Sequence, residues 1–232
     1  LPDGSTTTYC FRLAPGTYTG PVSIDHTSKT QSFSIVGSGT NNTFIQSAST
    51  FAGGKDSNVL FFKSFKSVEL KDVCIRHGLY GFYPRSCDIV KVRNVKFQYL
   101  GSDGTVNRHD LSGTQAEQAA YWASSSTSSG GACRIRDVDE LQLHDCDVSY
   151  CLRGLRVQDV GNSASVSMIT GNKVLRTLES GIYLASGSYD GAGGCENVHV
   201  VGNYIYEAFN NGLLCIGGKK NSFQSNTVCR SA

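Results

Sequence analysis

The chain has 232 residues, a formal net charge of +2, 26 glycines, 4 prolines and one methionine, which suits many short strands and tight turns better than long helices. The near-neutral balance points to no nucleic-acid partner, and no apolar run reaches the roughly 18 residues of a membrane-spanning helix. Nine cysteines, an odd number, leave at least one thiol unpaired within the chain, and their spacing gives no CxxC or Cys/His zinc pattern.

Along the chain, Phe33-Ser-Ile35 and Val59-Leu-Phe-Phe62 read as early strands. A phrase then recurs. It starts as Val68-Glu-Leu-Lys-Asp-Val73-Cys-Ile75 and returns as Val90 to Phe97, Leu141 to Val148, Ser167 to Val174, Val198 to Ile205 and Asn221 to Val228. Apolar residues alternate, a small or polar residue interrupts, and one more apolar residue follows. Period-two alternation is a strand with one buried face, and its repetition predicts a solenoid whose units bury their inner faces only by stacking.

The sixth residue of each phrase serves as an anchor: Val73, Val95, Cys146, Asn172, Asn203 and Asn226. A second phrase follows the anchors at Gly81-Phe82, Gly154-Leu155, Gly181-Ile182 and Gly212-Leu213, with Ala132 replacing the glycine at Gly131-Ala132-Cys133. These glycines are expected to supply permissive backbone angles at a corner. Gly81 to Val92 is eleven residues, as are Ala132 to Leu143 and Gly212 to Phe223. The minimal coil is therefore about 22 residues. Longer spacings become insertions, the largest at 101–131, read as one loop and not an extra coil. It carries Asp103, Arg108, His109, Asp110, Glu117, Tyr121 and the single tryptophan, Trp122.

Column positions sort the polar residues. Asn172, Asn203 and Asn226 share an inward column and are expected to bond backbone groups of adjacent coils as scaffold. Inward cysteines act as small apolar core residues, whereas Cys74 and Cys229 are expected at the surface, able to pair in an oxidising compartment. Glu69, Lys71, Lys91 and Arg93 read as cross-strand charge pairs. Asp137, Asp139, Asp145 and Asp147 are the candidate oxygens for a calcium ion, the only cofactor considered. His144 and Asp145 read as structural. Asn41-Asn-Thr43 is the one glycosylation sequon.

The opening run Phe11-Arg-Leu-Ala-Pro15-Gly-Thr-Tyr18, then Val22-Ser-Ile24 and Phe33-Ser-Ile-Val-Gly37-Ser-Gly39, resembles the first coil of the pectin-lyase-like superfamily. Gly171-Asn172 and Gly202-Asn203 resemble the turns of its repeats. The resemblance covers nearly the whole chain and implies an all-β, right-handed parallel β-helix, a single domain over 1–232. It does not imply one activity, because that superfamily includes lyases, glycosidases, esterases, epimerases, tailspikes and non-catalytic adhesins. Its catalytic motifs are matched only in fragments. Gly16-Thr-Tyr18-Thr-Gly20 lacks the acid of the esterase signature. Ile24-Asp25-His26 lacks the tryptophan that precedes the pectate lyase motif, and Arg76-His77-Gly78 falls on the wrong strand for the Arg-His-Gly of alginate lyases. The paired aspartates of polygalacturonases are not found, nor is a P-loop, a Rossmann fingerprint or a Ser-His-Asp order.

Outward positions of the glycine phrase give the candidate site: Tyr83 and Arg85, Arg134 and Arg136, Arg156 and Gln158, then Tyr183, side by side on stacked coils about 5 Å apart. Arginine forks bind carboxylate or sulfate bidentately, and aromatic rings lie against sugar faces. Arg134, Arg136 or Arg156 would neutralise a uronate, and Tyr183, His109 or an arginine would move the proton that elimination requires. Tyr83, Arg85, Arg136, Tyr121 and Trp122 would bind the substrate. The bland alternative is a solvated face that keeps the solenoid soluble.

The expectation is thus an extracellular or secreted β-helix that binds an acidic, uronate-containing polysaccharide and is a candidate lyase or glycoside hydrolase. The competing class is a non-catalytic stalk, adhesin or tailspike-like segment. The start at Leu1 and the last phrase ending at Val228 suggest a piece of a longer chain, or an end covered by a capping partner or a second copy.

Overall fold

The computed structural model describes residues 7–47, 58–101, 130–162, 164–186 and 194–230, and among them there is no helix. The chain winds as stacked coils of three short strands. The first coil is β1 (Thr8–Arg12), β2 (Gly16–Thr19) and β3 (Val22–Asp25), and the second is β4 (Ser32–Val36), β5 (Thr43–Gln46) and β6 (Leu60–Lys63). Then come β7 (Ser67–Lys71), β8 (Cys74–Gly78), β9 (Tyr80–Arg93), β10 (Lys96–Leu100), β11 (Gly131–His144) and β12 (Asp147–Cys151). The later coils are β13 (Leu155–Val160), β14 (Ser167–Thr170) and β15 (Lys173–Thr177), then β16 (Ser180–Ala185), β17 (Val198–Val201) and β18 (Tyr204–Ala208). The last is β19 (Asn211–Ile216), β20 (Ser222–Gln224) and β21 (Thr227–Cys229).

Strands of successive coils pair in parallel and make three faces. One face is β2-β5-β8-β10-β12-β15-β18-β21. The other two join into one sheet because β9 and β11 run through a corner without a break, bending at Ser86 (φ 54°) and Asp137 (φ 53°). The phrase strands β1, β4, β7, the later half of β9 and of β11, β14, β17 and β20 form the first face. The glycine-phrase strands β3, β6, the earlier half of β9 and of β11, β13, β16 and β19 form the third. Lys71 stands beside Arg93 and Cys74 beside Lys96, so those coils are 22 residues long, as the spacing predicts. Lys96 stands beside Asp147 and Arg85 beside Arg136, so 101–131 inserts no coil between its neighbours.

Inside the coils, alternate residues of every face meet in one core. Phe62, Phe65, Phe82 and Phe97 are fully buried, and Phe33, Phe62, Phe65 and Phe82 contact one another as tilted or edge-to-face rings. Truncating such a ring to alanine costs about 3–5 kcal/mol. The coil at the C-terminal end exposes Ile216, Phe223 and Val228.

The asparagine column is a ladder. Asn172 Oδ1 accepts from the Cys146 backbone N–H at 2.9 Å. Asn203 Oδ1 accepts from the Asn172 N–H at 3.0 Å, and Asn226 Oδ1 from the Asn203 N–H at 3.0 Å. Their amide Nδ2 groups donate to the carbonyls of Leu143, Ile169 and Val200.

Three expectations are corrected. The phrase glycines do not have positive φ. They are needed for space: a Cβ on Gly181 would meet the Gly212 carbonyl oxygen and Ile205 Cγ2, each at 2.7 Å, and one on Gly154 would collide with the Gly181 carbonyl. At the corner before the glycine phrase the left-handed residues are instead His77, Tyr99, Tyr150, Arg176, Glu207 and Arg230, four residues past each anchor. Second, Cys74 is buried, not at the surface: neighbouring side chains cover it, and burial raises its pKa to about 11. None of the nine cysteines is in a disulfide, and Cys87, Cys133, Cys146, Cys151 and Cys195 are core residues. Third, the charges on the first face do not form the expected pairs. Glu69 stands beside Lys91 but accepts from Ser34 Oγ at 3.1 Å, and Lys71 stands beside Arg93 and reaches Asp72 at 3.7 Å.

Candidate anion-binding face

On the third face, strand alternation turns Phe82, Pro84, Cys133, Ile135, Leu155, Val157, Ile182 and Leu184 inward. The residues between them must point outward. The register then builds two columns. The first runs Phe61, Tyr83, Arg134, Arg156, Tyr183, Leu214, one residue per coil. The second runs Lys63, Arg85, Arg136, Gln158, Ala185. The six strip residues expected from sequence, Tyr83, Arg85, Arg134, Arg136, Arg156 and Tyr183, are therefore brought together, and all are half-buried.

Charge along the strip is unevenly compensated. Lys63 Nζ lies 2.8 Å from Asp25 Oδ2. Asp137, at the corner that ends this face, sits between Arg85 Nε at 3.5 Å and Arg136 Nε at 3.4 Å. Arg153, at the neighbouring corner, is ion-paired with Glu179. Arg134 Nε donates to Gln158 Oε1 at 2.8 Å, and its guanidinium lies 5.2 Å from the Tyr83 ring centre and 5.8 Å from that of Tyr80. Arg156 lies 5.5 Å from the centre of the Tyr183 ring. Among the described residues its buried Nε has no hydrogen-bond partner, as is true of Arg85 and Arg136, but unlike them it has no carboxylate within ion-pair distance.

Burial is the main cause that lowers the pKa of Arg156, followed by the positive field of Arg153, with Arg134 adding to it; the phenols of Tyr80 and Tyr183 act in the opposite sense. The group stays protonated, but it is a partly desolvated cation among cations. Such a site gains by receiving an anion.

Tyr80 and Asp137 were missed as members of this site. Tyr80 starts β9 one residue before the glycine and is nearly buried, so column reading did not show that its ring would lie beside Arg134. Asp137, one of the four aspartates expected to offer oxygens to calcium, lies instead between two arginines. Asp137 and Asp145 occupy different corners, and among the described residues no group of three or more His, Cys, Asp or Glu side chains is placed to share a metal ion. His109, Tyr121 and Trp122 lie outside the described residues. The ends of their loop meet where a Cβ on Gly130 would lie 2.6 Å from Gly101 Cα, at the corner from which β11 starts toward Arg134.

The remaining fragments of catalytic motifs make contacts within the coils. Asp25 pairs with Lys63, His26 is buried edge-on against Phe65, and the His77 ring stacks on Tyr99 at 5.7 Å. His144 Nδ1 bonds Thr170 Oγ1. Asn41 of the sequon is exposed on a turn, whereas Thr43 is buried, its hydroxyl accepting from the Ser38 N–H at 2.9 Å. No described helix is long and apolar enough to cross a membrane.

A three-sided solenoid of parallel strands with an internal asparagine ladder defines a class, the parallel β-helix proteins. The family description "right handed beta helix region" matches residues 34–228, and the chain belongs to that family. No curated protein and no solved structure matches the chain.

Proposed function

We propose that this chain binds an acidic polysaccharide on its third face, with Arg134 and Arg156 receiving a carboxylate or sulfate group and Tyr83 and Tyr183 contacting sugar rings. The observation that supports it most is Arg156: among the described residues its buried Nε has no hydrogen-bond partner and no carboxylate lies within ion-pair distance of it, and a second arginine stands in register one coil away. Each charge-assisted hydrogen bond formed there contributes about 1.5–3 kcal/mol. The phenol of Tyr183 beside Arg156 is the pairing that β-elimination of a uronate uses, one group to neutralise the carboxylate and one to move a proton, so cleavage belongs to the same reading. On this reading the protein works outside the cell, where such polysaccharides are met.

Calorimetric titration with uronate and sulfated oligosaccharides tests the binding. Arg156→Gln is expected to weaken it by about 10–100-fold, the loss of one such bond. Incubation with pectate, alginate and glycosaminoglycans, followed by absorbance of the unsaturated product, tests the cleavage, which Tyr183→Phe should abolish. Unchanged affinity in Arg156→Gln and in Arg134→Gln would remove the face from consideration.

A further inference from the structure

Resting on that reading, we infer that the ligand carries isolated anionic groups flanked by uncharged sugars, as in an alternating acidic–neutral polymer, and not a carboxylate on every residue. The order of residues in the first outward column carries the inference. Positive charge occupies only two consecutive coils, Arg134 and Arg156, and the positions on either side are rings and apolar groups: Phe61 and Tyr83 before, Tyr183 and Leu214 after. Coils rise by about 4.8 Å, comparable to the length of one sugar in an extended chain. With one anion shared by Arg134 and Arg156, a homopolyuronate laid along the solenoid would bring its next carboxylates toward the rings of Tyr83 and Tyr183. The negative faces of those rings repel anions and favour the polarised C–H groups of a neutral sugar.

The same face also shows how two arginines of adjacent coils share one anion. Asp137 lies at 3.5 Å and 3.4 Å from Arg85 and Arg136, which stand in register on β9 and β11. Arg134 and Arg156 stand in register on β11 and β13 in the same way, without a carboxylate between them among the described residues. One ligand carboxylate or sulfate seated between Arg134 and Arg156, as Asp137 is between the neighbouring pair, would relieve the repulsion between the two cations, and a closer approach than that of Asp137 would let it accept from Arg156 Nε. The second column adds no further free cation on the C-terminal side, where Gln158 and Ala185 follow Arg136.

The test is affinity for three size-matched oligosaccharides, each measured on the whole chain and on Arg156→Gln. The probes are a hyaluronan hexasaccharide, whose uronates alternate with neutral sugars, an oligogalacturonate hexamer, and a neutral chitohexaose. The inference expects the alternating hexasaccharide to bind at least about 10-fold more tightly than the homopolymer, the worth of one mismatched charge contact, and Arg156→Gln to erase that preference. Equal or tighter binding of the oligogalacturonate, still lost in Arg156→Gln, would overturn the inference and leave the acidic-glycan reading standing. Binding of neither acidic probe, or binding indifferent to Arg156→Gln, would overturn both. Tyr183→Leu separates ring contact from fold: with the melting temperature kept, it should weaken the alternating probe more than the homopolymer, and the reverse order would also count against the inference.

Discussion

The asparagine ladder and the arginine strip are both columns of one polar residue per coil, and they differ in whether the column is complete in itself. In the ladder, Asn172 and Asn203 are about 1% exposed, and their side-chain oxygens and amides all find partners inside the chain. On the strip, Gln158 accepts from Arg134, and the Nε of Arg85, Arg136 and Arg156 all lack a hydrogen-bond partner among the described residues, but Asp137 lies within ion-pair distance of Arg85 and Arg136 while no described carboxylate lies so close to Arg156. A self-satisfied polar column is scaffold, since its hydrogen bonds stabilise stacking and leave nothing to offer a ligand. An unsatisfied one offers binding capacity that the fold itself does not use.

This contrast can be broken by mutation, and the largest effect belongs to the ladder. Asn203→Ala orphans the buried Asn172 N–H and the Ile169 carbonyl, so urea denaturation should show a loss of about 3–5 kcal/mol. A loss below about 1 kcal/mol would mean that the ladder is not what holds these coils in register. Arg156→Gln is expected to behave in the opposite way, leaving stability within about 0.5 kcal/mol of the parent. The change removes a cation that has no carboxylate within ion-pair distance among the described residues and that Arg153 and Arg134 repel. A large stability loss there would turn the strip into a second scaffold.

The smallest effect is a pH dependence on the first face. Burial, then Arg93, holds the His144 imidazole below its ordinary value near 6.5, against the pull of Asp145. The unfolded chain therefore takes up that proton first, so the stability contribution is full above about pH 6.5 and is lost as pH falls through the lower folded value. Melting temperatures measured from pH 8 to 5 should fall less steeply for His144→Gln than for the parent, and identical slopes would remove His144 as the cause.

Most of the scaffold was legible because side-chain alternation and coil length are properties of sequence. The 22-residue register at Lys71 and Arg93, the ladder, and the membership of both outward columns all follow from counting. The corners were not legible. Tyr99, Tyr150 and Arg176 adopt left-handed angles that sequence rules reserve for glycine and asparagine, because stacked neighbours hold every coil's corner in the same conformation. The phrase glycines mark contact between coils and not a backbone angle, a difference no local pattern carries. On the strip, position was legible but partnership was not. Which arginine would be neutralised depended on Asp137 and Glu179, corner residues whose direction emerges only from the folded coil.

The most direct test of the unsatisfied column is an NMR titration that follows the arginine Nε–H resonances as an acidic oligosaccharide is added. Arg156 is expected to shift most and Arg134 next, while Arg153 and Arg176, already paired with Glu179 and Glu207, stay in place. Equal shifts at the paired arginines, or no shift at Arg156 under saturating ligand, would contradict the account.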